Sequence, residues 1–577
     1  MYIEFVPNRN SRPAVLLREG WREGKKVYKR TLANLTDWSA ARVEALRRVL
    51  KDEPVLAPQE LFVTERSLPH GHVQAVLDTV RRLELDALIA PKRSRERDLV
   101  LAMLVERLIH PCSKLATTRL WHCTTLAEEL GVAQATEDDL YEAMDWLLQR
   151  QSRIERKLAA RHLAEGTQVL YDVSSSYYEG HTCPLMQLGH DRDGKRGLPI
   201  VVYGALTDAH GRPVALQVYA GNTGDPKTVP DQVNKLREQF GLQQVVLVGD
   251  RGMLTQTQID KLQQYPGLGW ISALRSSAIR QLVDGGALQL SLFDQKNLAE
   301  ISSPEFPGER LVACYNPILA TQRAHKRQDL LKATEKGLDK IVREVARRTK
   351  TPLSAAEIGK KVGTVVNRYK VGKHFELTMK DGQFHYARRH PEIEREAQLD
   401  GIYVIRTSEP RSRLSAEDTV RSYKNLAQVE RAFRCLKSID LLVRPIRHRD
   451  EQRVRAHLFL CMLAYYVQWH MRRALAPLLF EDEELNGNRK TRDPVAAAKA
   501  SASAKKKKAD RVTSDGLPIH SFDTLLVELG TRCRNWSRVK SDPNSAPFSH
   551  LTEPTPLQQR AFDLLRVLPV TGTQNSR

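Results

Sequence analysis

Apolar and polar residues alternate at the start of the chain. Met1 to Val6, Ala14 to Leu17 and Lys26 to Leu32 carry this two-residue period between turn formers, which predicts a small β-hairpin or meander over residues 1–50. Residues 51–165 shift to helical spacing. The run DLVLAMLVERLIH (Asp98 to His110) keeps apolar residues on a helical repeat and stops at Pro111. TTLAEELGVAQATEDDLYEAMDWLL then predicts a helix to Leu130, a turn at Gly131 and a second helix capped by Thr136. The pair has the outline of a helix-turn-helix. Its second helix would begin with Glu137, Asp138, Asp139 and Glu142, which repel phosphate, so packing is favoured over base reading for this pair.

From Thr167 the period changes again. TQVLYDVSS (Thr167 to Ser175), LPIVVYGALTD and RPVALQVYAG predict three strands, the last two joined around His210-Gly211. A helix over Pro226 to Gln239 follows, then the almost wholly apolar strand QVVLVGD (Gln244 to Asp250), a helix over Leu254 to Gln264 and a strand over Gly269 to Leu274. Three strands, helix, strand, helix, strand is the opening order of a ribonuclease H-like mixed sheet in an α/β protein, and other α/β folds share it. We therefore expect a core over 166–478, with β-containing insertion over 279–400 and N-terminal β and helical segments. The insertion carries a basic helix from Gln322 to Lys350, with ten Lys/Arg against four Asp/Glu. It also carries a hairpin around Asp381-Gly382, a pair favoured in type I′ turns. Gly401 to Thr407 returns as a core strand, Ser415 caps a helix to about Ser438, and Gln452 to Leu475 is an apolar helix. Residues 479–516 hold a lysine run and read as a basic disordered linker; 517–577 read as a helical segment.

Charge sets the partner. The 577 residues hold 90 Lys/Arg and 69 Asp/Glu, a net charge of +21, and such an excess points to a polyanion, most often nucleic acid. No apolar run approaches the ~20 residues that span a bilayer, so no membrane is expected. Seven scattered cysteines without Cys-x-x-Cys spacing read as reduced thiols, hence a cytoplasmic setting. The phosphate-loop, His-Glu-x-x-His and Gly-x-Ser-x-Gly patterns are absent, which argues against an ATPase, a zinc peptidase and a serine hydrolase.

Three carboxylates stand in unusual places. Asp172 lies within an apolar strand, Asp250 ends another, and Glu430 sits within a helix. Each has an ordinary reading: a turn residue, a helix cap or a partner of Arg251, and a surface charge paired with Arg434. Together, in a mixed sheet, the first and fourth strands are neighbours, and two adjacent carboxylates need a cation between them. Magnesium prefers such oxygen ligands. With Glu430 this makes a two-metal site, one ion activating a water or 3′-hydroxyl and the other stabilising the leaving oxygen of a phosphodiester. Tyr423, Glu430 and Lys437 are spaced seven apart, so they are expected to share one helix face, with Arg434 four residues after Glu430.

This ordered set resembles the DDE transposases of bacterial insertion sequences, in particular the group marked by Tyr-x2-Arg-x3-Glu-x6-Lys. Tyr423, Glu430 and Lys437 match that spacing; Leu426 stands at the arginine position, and Arg434 is its candidate substitute. LVGDRGM and YDVSSSYYEG resemble the regions of the family's second and first aspartates, 78 residues apart, and Glu430 follows Asp250 by 180, as in members with a β-rich insertion. The resemblance implies cleavage at element ends and strand transfer into target DNA. It implies Asp172, Asp250 and Glu430 as catalytic metal ligands for Mg2+, with Mn2+ as a substitute. Tyr423 and Lys437 would hold the terminal DNA backbone, and Arg251 would position a phosphate or orient Asp250. The partners implied are double-stranded DNA, as terminal inverted repeats and target, and a second copy of the chain in a synaptic dimer on the bacterial nucleoid. Residues 51–165 are a candidate for binding the DNA ends. A nuclease that only cuts, and a relative that binds DNA without catalysis, are the competing readings.

Overall fold

A computed structural model describes residues 1–9, 11–53, 61–294, 296–437, 440–540 and 544–566. The chain divides into two compact units, Met1–Pro69 with Arg532–Glu553, and His70–Thr531 with the residues from Pro554 on.

In the first unit the alternating stretch forms the antiparallel meander β1 (Tyr2–Val6), β2 (Ala14–Glu23) and β3 (Lys26–Asn34). Glu23 faces Lys26 across a tight turn in which Gly24 takes φ 63°, the left-handed region open to glycine. Ser39 caps the helix Ala40–Val49 by accepting from the Arg42 amide. A fourth strand, β4 (Phe62–Pro69), pairs with Cys533–Val539, which in turn pairs with Phe548–Leu551. The stretch expected to be wholly helical at the C-terminal end thus also contributes two strands. The first of them has its partner β4 more than 460 residues back along the chain, and local periodicity carries no trace of so distant a pairing. Residues 567–577 of that expectation lie outside the described residues.

The second unit is built on an eight-stranded sheet. Its strands are β5 (Gln168–Tyr177), β6 (Ile200–Asp208), β7 (Pro213–Ala220), β8 (Val245–Val248), β9 (Leu268–Ala273), β10 (Leu298–Ile301), β11 (Arg310–Tyr315) and β14 (Ile402–Thr407), in the order β10-β11-β14-β9-β8-β5-β6-β7. β5, β6 and β7 are antiparallel neighbours, and β8 and β9 continue parallel to β5. This is the ribonuclease H-like core. Every residue of β6 and β8 is buried, as a strand covered on both faces requires.

Helices cover the sheet. α1 (Arg95–Ile109), α2 (Glu137–Leu148) and α7 (Glu451–Ala474) pack on one another, and α7 also lies on β7. α7 is buried almost all round from Val454 to Met471, which fits its apolar composition. The acidic start of α2 is a capping box: Thr136 Oγ1 accepts from the Asp139 amide and Asp139 accepts from the Thr136 amide. Those charges satisfy the helix N-terminus, consistent with a packing role.

The stretch 279–400 is not one insertion. β10 and β11 join the main sheet through β14, leaving a smaller body with its own core. There α3 (Pro317–Arg347) sets Leu331, Leu338 and Ile341 against Ile358 and Val362 of α4 (Ala355–Tyr369) and against Phe375 and Phe384 of the hairpin β12 (Phe375–Lys380) and β13 (Gln383–Arg388). The hairpin turn is not type I′, because Gly382 has positive φ and Asp381 does not. Asp381 instead accepts a hydrogen bond from the Ala355 amide at the start of α4 (2.7 Å).

Residues 479–516 hold the helices Leu485–Thr491 and Ala502–Asp510 rather than an unstructured linker. The acidic residues just before the lysine run hold it: Lys507 pairs with Glu483 (2.9 Å) and Asp482 accepts from Ser501 (2.8 Å). Among the described residues no helix is long and apolar enough to cross a membrane.

Gly204 of β6 lies under the buried Tyr171 ring, where a Cβ would come within 2.3 Å of the phenol oxygen. Gly204→Ala is expected to cost about 1–3 kcal/mol through overpacking, read as a lower urea midpoint at unchanged m. An unshifted midpoint would show that the ring has room to yield.

Candidate active site

The parallel pairing of β5 and β8 sets Leu170 opposite Val248. Two residues further along each strand direction come Asp172, in the middle of β5, and Asp250, just past the end of β8, which brings the two residues level. The helix from Ser415 is broken in two, α5 (Ala416–Lys424) and α6 (Leu426–Lys437), with Asn425 between them. Ser438, where the sequence places its end, lies outside the described residues. Tyr423 and Glu430 therefore lie on either side of a one-residue interruption at which Asn425 keeps helical dihedrals (φ −65°, ψ −19°). No glycine or proline marks this break. α6 packs on β5 through buried Val429, Ala432, Phe433 and Leu436, and Phe433 meets Tyr203 of β6 edge-on at 5.7 Å. Glu430 is exposed beside that buried face.

The three carboxylates act on one another. Burial pushes the Asp172 carboxyl up to about 7, and the charges of Asp250 and Glu430 push the same way; the Val173 amide and Arg192 oppose them. Asp172 Oδ1 accepts from the Val173 amide (2.8 Å). Asp250 Oδ1 accepts from the amides of Gly252 and Met253 (2.8 and 2.9 Å), so its turn-forming role is real. No ion pair among the described residues involves Asp172, Asp250 or Glu430. The expected surface pairing of Glu430 with Arg434 does not form, and Arg434 is exposed. In a chain of +21 charge, three mutually repelling carboxylates without a cationic partner fit hard divalent ions. No three His, Cys, Asp or Glu side chains among the described residues are yet gathered closely enough to hold a single ion.

Tyr423 belongs to the same neighbourhood. Burial pushes its phenol up to about 12, with Asp250, Glu430 and Asp172 adding to the rise and Arg251 opposing it. Arg251 is exposed beside the site. Leu426 is buried at the start of α6 and offers no charge. Lys437 is not a free cation. Its Nζ lies 2.9 Å from Asp193 Oδ1, and Arg444 pairs with the same oxygen. Sequence reasoning missed Asp193, Arg444 and Arg192, which pairs with Asp225 at 2.5 Å. The only signal was HDRDGKR, His190 to Arg196, where charges of both signs crowd between two strands.

Comparison with known proteins bears on the family. The family model "Transposase DDE domain" matches residues 184–467, which include Asp250 and Glu430 but begin after Asp172. The model "IS1634 family transposase, N-terminal domain" matches residues 3–55. No curated protein matches the chain significantly. A solved structure with some similarity is a cryo-EM structure of the piggyBac transposase synaptic complex with hairpin DNA. It is 8% identical over 79% of this chain and 77% of that one, with a TM-score of 0.33, too low to bear on the fold. The two family models together span more than half of the sequence and fall on the N-terminal meander and the ribonuclease H-like core. The chain belongs to the DDE-type transposases of insertion sequences.

Proposed function

We propose that this transposase cleaves the ends of its own element and transfers the freed strand into target DNA, using Asp172, Asp250 and Glu430 as its acidic triad. The observation that carries the reading is the mutual charge of these three side chains beyond the end of β8, uncompensated by any ion pair among the described residues. Bound there, Mg2+, or Mn2+ in its place, would polarise the phosphodiester and acidify the attacking hydroxyl. Asp172 and Asp250 hold fixed positions because their strands are hydrogen-bonded neighbours. Glu430 approaches from α6, so its reach depends on how that helix seats on β5. Tyr423 and Arg251 lie within electrostatic reach of the triad, Arg434 is exposed on α6, and these three would hold the DNA backbone. Two ends must be joined, so a dimer is the expected active species, acting in the cytoplasm.

Cleavage of a duplex carrying the element ends tests the reading. Glu430→Gln is expected to lose magnesium-dependent cleavage while binding the duplex as the parent does. Cleavage at the parental rate would remove Glu430 from the triad. If cleavage proceeds and no strand joins a target duplex, the protein is a nuclease without transfer.

A further inference from the structure

A second cluster of charge lies away from the triad, and its sign is opposite. α1, the helix Lys114–Leu120, the loop Leu442–Asp450 and the start of α7 enclose a cleft of about 550 Å³. Six arginine and lysine side chains line it, against Asp450 as its one carboxylate. Asp450 is occupied in capping α7, accepting from the Arg453 amide at 3.0 Å.

Two of the cations are buried. Lys114 is 4% exposed and Arg107 6%. Arg107 donates to the Cys112 carbonyl (3.1 Å), and no carboxylate pairs with either among the described residues. Glu106, beside Arg107 in sequence, bonds His110 instead (3.2 Å). Burial pulls the Lys114 ammonium down to about 7, and Arg107 pulls the same way; the thiols of Cys461 and Cys112 oppose them. His457, also in the lining, is buried with Nδ1 lacking a hydrogen-bond partner. Arg449 is exposed and makes no ion pair among the described residues, whereas Arg447 pairs with Glu179 (3.0 Å). A buried, uncompensated ammonium beside a buried guanidinium is costly in the empty protein. Such a cost is retained where an anion repays it on binding.

We propose that this cleft is a phosphate-binding site built on Lys114 and Arg107, and that the DNA backbone is its source of phosphate. The second clause rests on the transposase reading above. Arg444 ties the two places together, since it lines the cleft and pairs with Asp193 beside Lys437. A duplex engaged at the triad has a route to the cleft along that arginine. The cleft is several times the volume of one phosphate group, so a phosphodiester enters with its flanking sugars.

The test uses the full chain, Lys114→Met and the rim variant Arg449→Gln. Lys114→Met removes a buried charge at similar length, so its own melting temperature is expected to equal or exceed the parent's. Inorganic phosphate, against sodium chloride of equal ionic strength, should raise the parent's melting temperature by about 2 °C or more and leave Lys114→Met unmoved. An end-bearing duplex should bind Lys114→Met about tenfold more weakly, with a log–log salt slope shallower by about one for the lost phosphate contact. Arg449→Gln should show a smaller change in the same direction. If the duplex abolishes the phosphate effect, the source is the DNA backbone. If phosphate stabilises the parent and the duplex does not compete, the site takes a free phosphate. Parental phosphate response and parental DNA binding in Lys114→Met would overturn the proposal. Asp172→Asn should keep the full phosphate response, so loss of the triad reading leaves this site standing or falling by itself.

Discussion

Asp172→Asn is expected to lower magnesium-dependent cleavage about 10³-fold and, without added metal, to make the protein more stable above pH 7. The two effects share one cause. The folded carboxyl titrates near 7 and the unfolded one near 3.8, so between those values the folded state holds a proton that the unfolded state has released. Stability from this group is full below pH 3.8, fades as the pH rises towards 7, and stays lost above it. The gap corresponds to about 4 kcal/mol at the upper end as an order of magnitude. Asparagine keeps the acceptor for the Val173 amide and carries no charge to bury. The stability difference should therefore vanish near pH 4 and be largest at pH 8. Mg2+ should raise the parent's melting temperature at pH 8 and leave that of Asp172→Asn unchanged. Destabilisation of Asp172→Asn at every pH would mark the residue as structural. Parental cleavage would remove it from the triad.

The same residue shows what the sequence conveys. Asp172 and Asp250 are legible because each interrupts or ends an apolar run. The β5-to-β9 order of runs is contiguous enough to suggest which strands become neighbours. Glu430 is legible only through its spacing from Tyr423 and Lys437, and no glycine or proline announces the one-residue interruption of the helix at Asn425. β10 and β11 read as part of an insertion because their partner β14 lies beyond the body built on α3 and α4. The strand Cys533–Val539 reads as helix-associated because its partner β4 is at the other end of the chain. Pairings between distant segments leave no local period. Asp193 was invisible for another reason. It sits in an irregular loop, and a buried acid in a loop looks like any solvated one until its cations are in place.

Those cations make Asp193→Asn the substitution with the largest expected cost in stability. The Asp193 side chain is 1% exposed and lies between Lys437, 10% exposed, and the partly exposed Arg444. It also accepts from the Tyr177 amide at 3.2 Å, which ties the end of β5 to the loop. Burial already lowers the Lys437 ammonium below its usual range even with Asp193 beside it. Asparagine would leave that ammonium buried without an anion, a loss of about 3–5 kcal/mol. Adding Lys437→Met to Asp193→Asn should restore most of it, because the uncompensated charge goes with the lysine, and Arg444 can turn towards solvent. A double-mutant cycle in urea checks this: coupling of less than about 0.5 kcal/mol would mean that the pair is incidental. Lys437→Met alone then separates the two roles open to this lysine. A lysine committed to Asp193 leaves the salt slope of DNA binding at the parental value when it is removed, whereas a lysine that also grips a phosphate makes that slope shallower by about one. The first outcome is expected, with the exposed Arg434 and Arg251 proposed to hold the backbone instead, since the Lys437 ammonium would have to abandon the Asp193 carboxylate to reach the duplex.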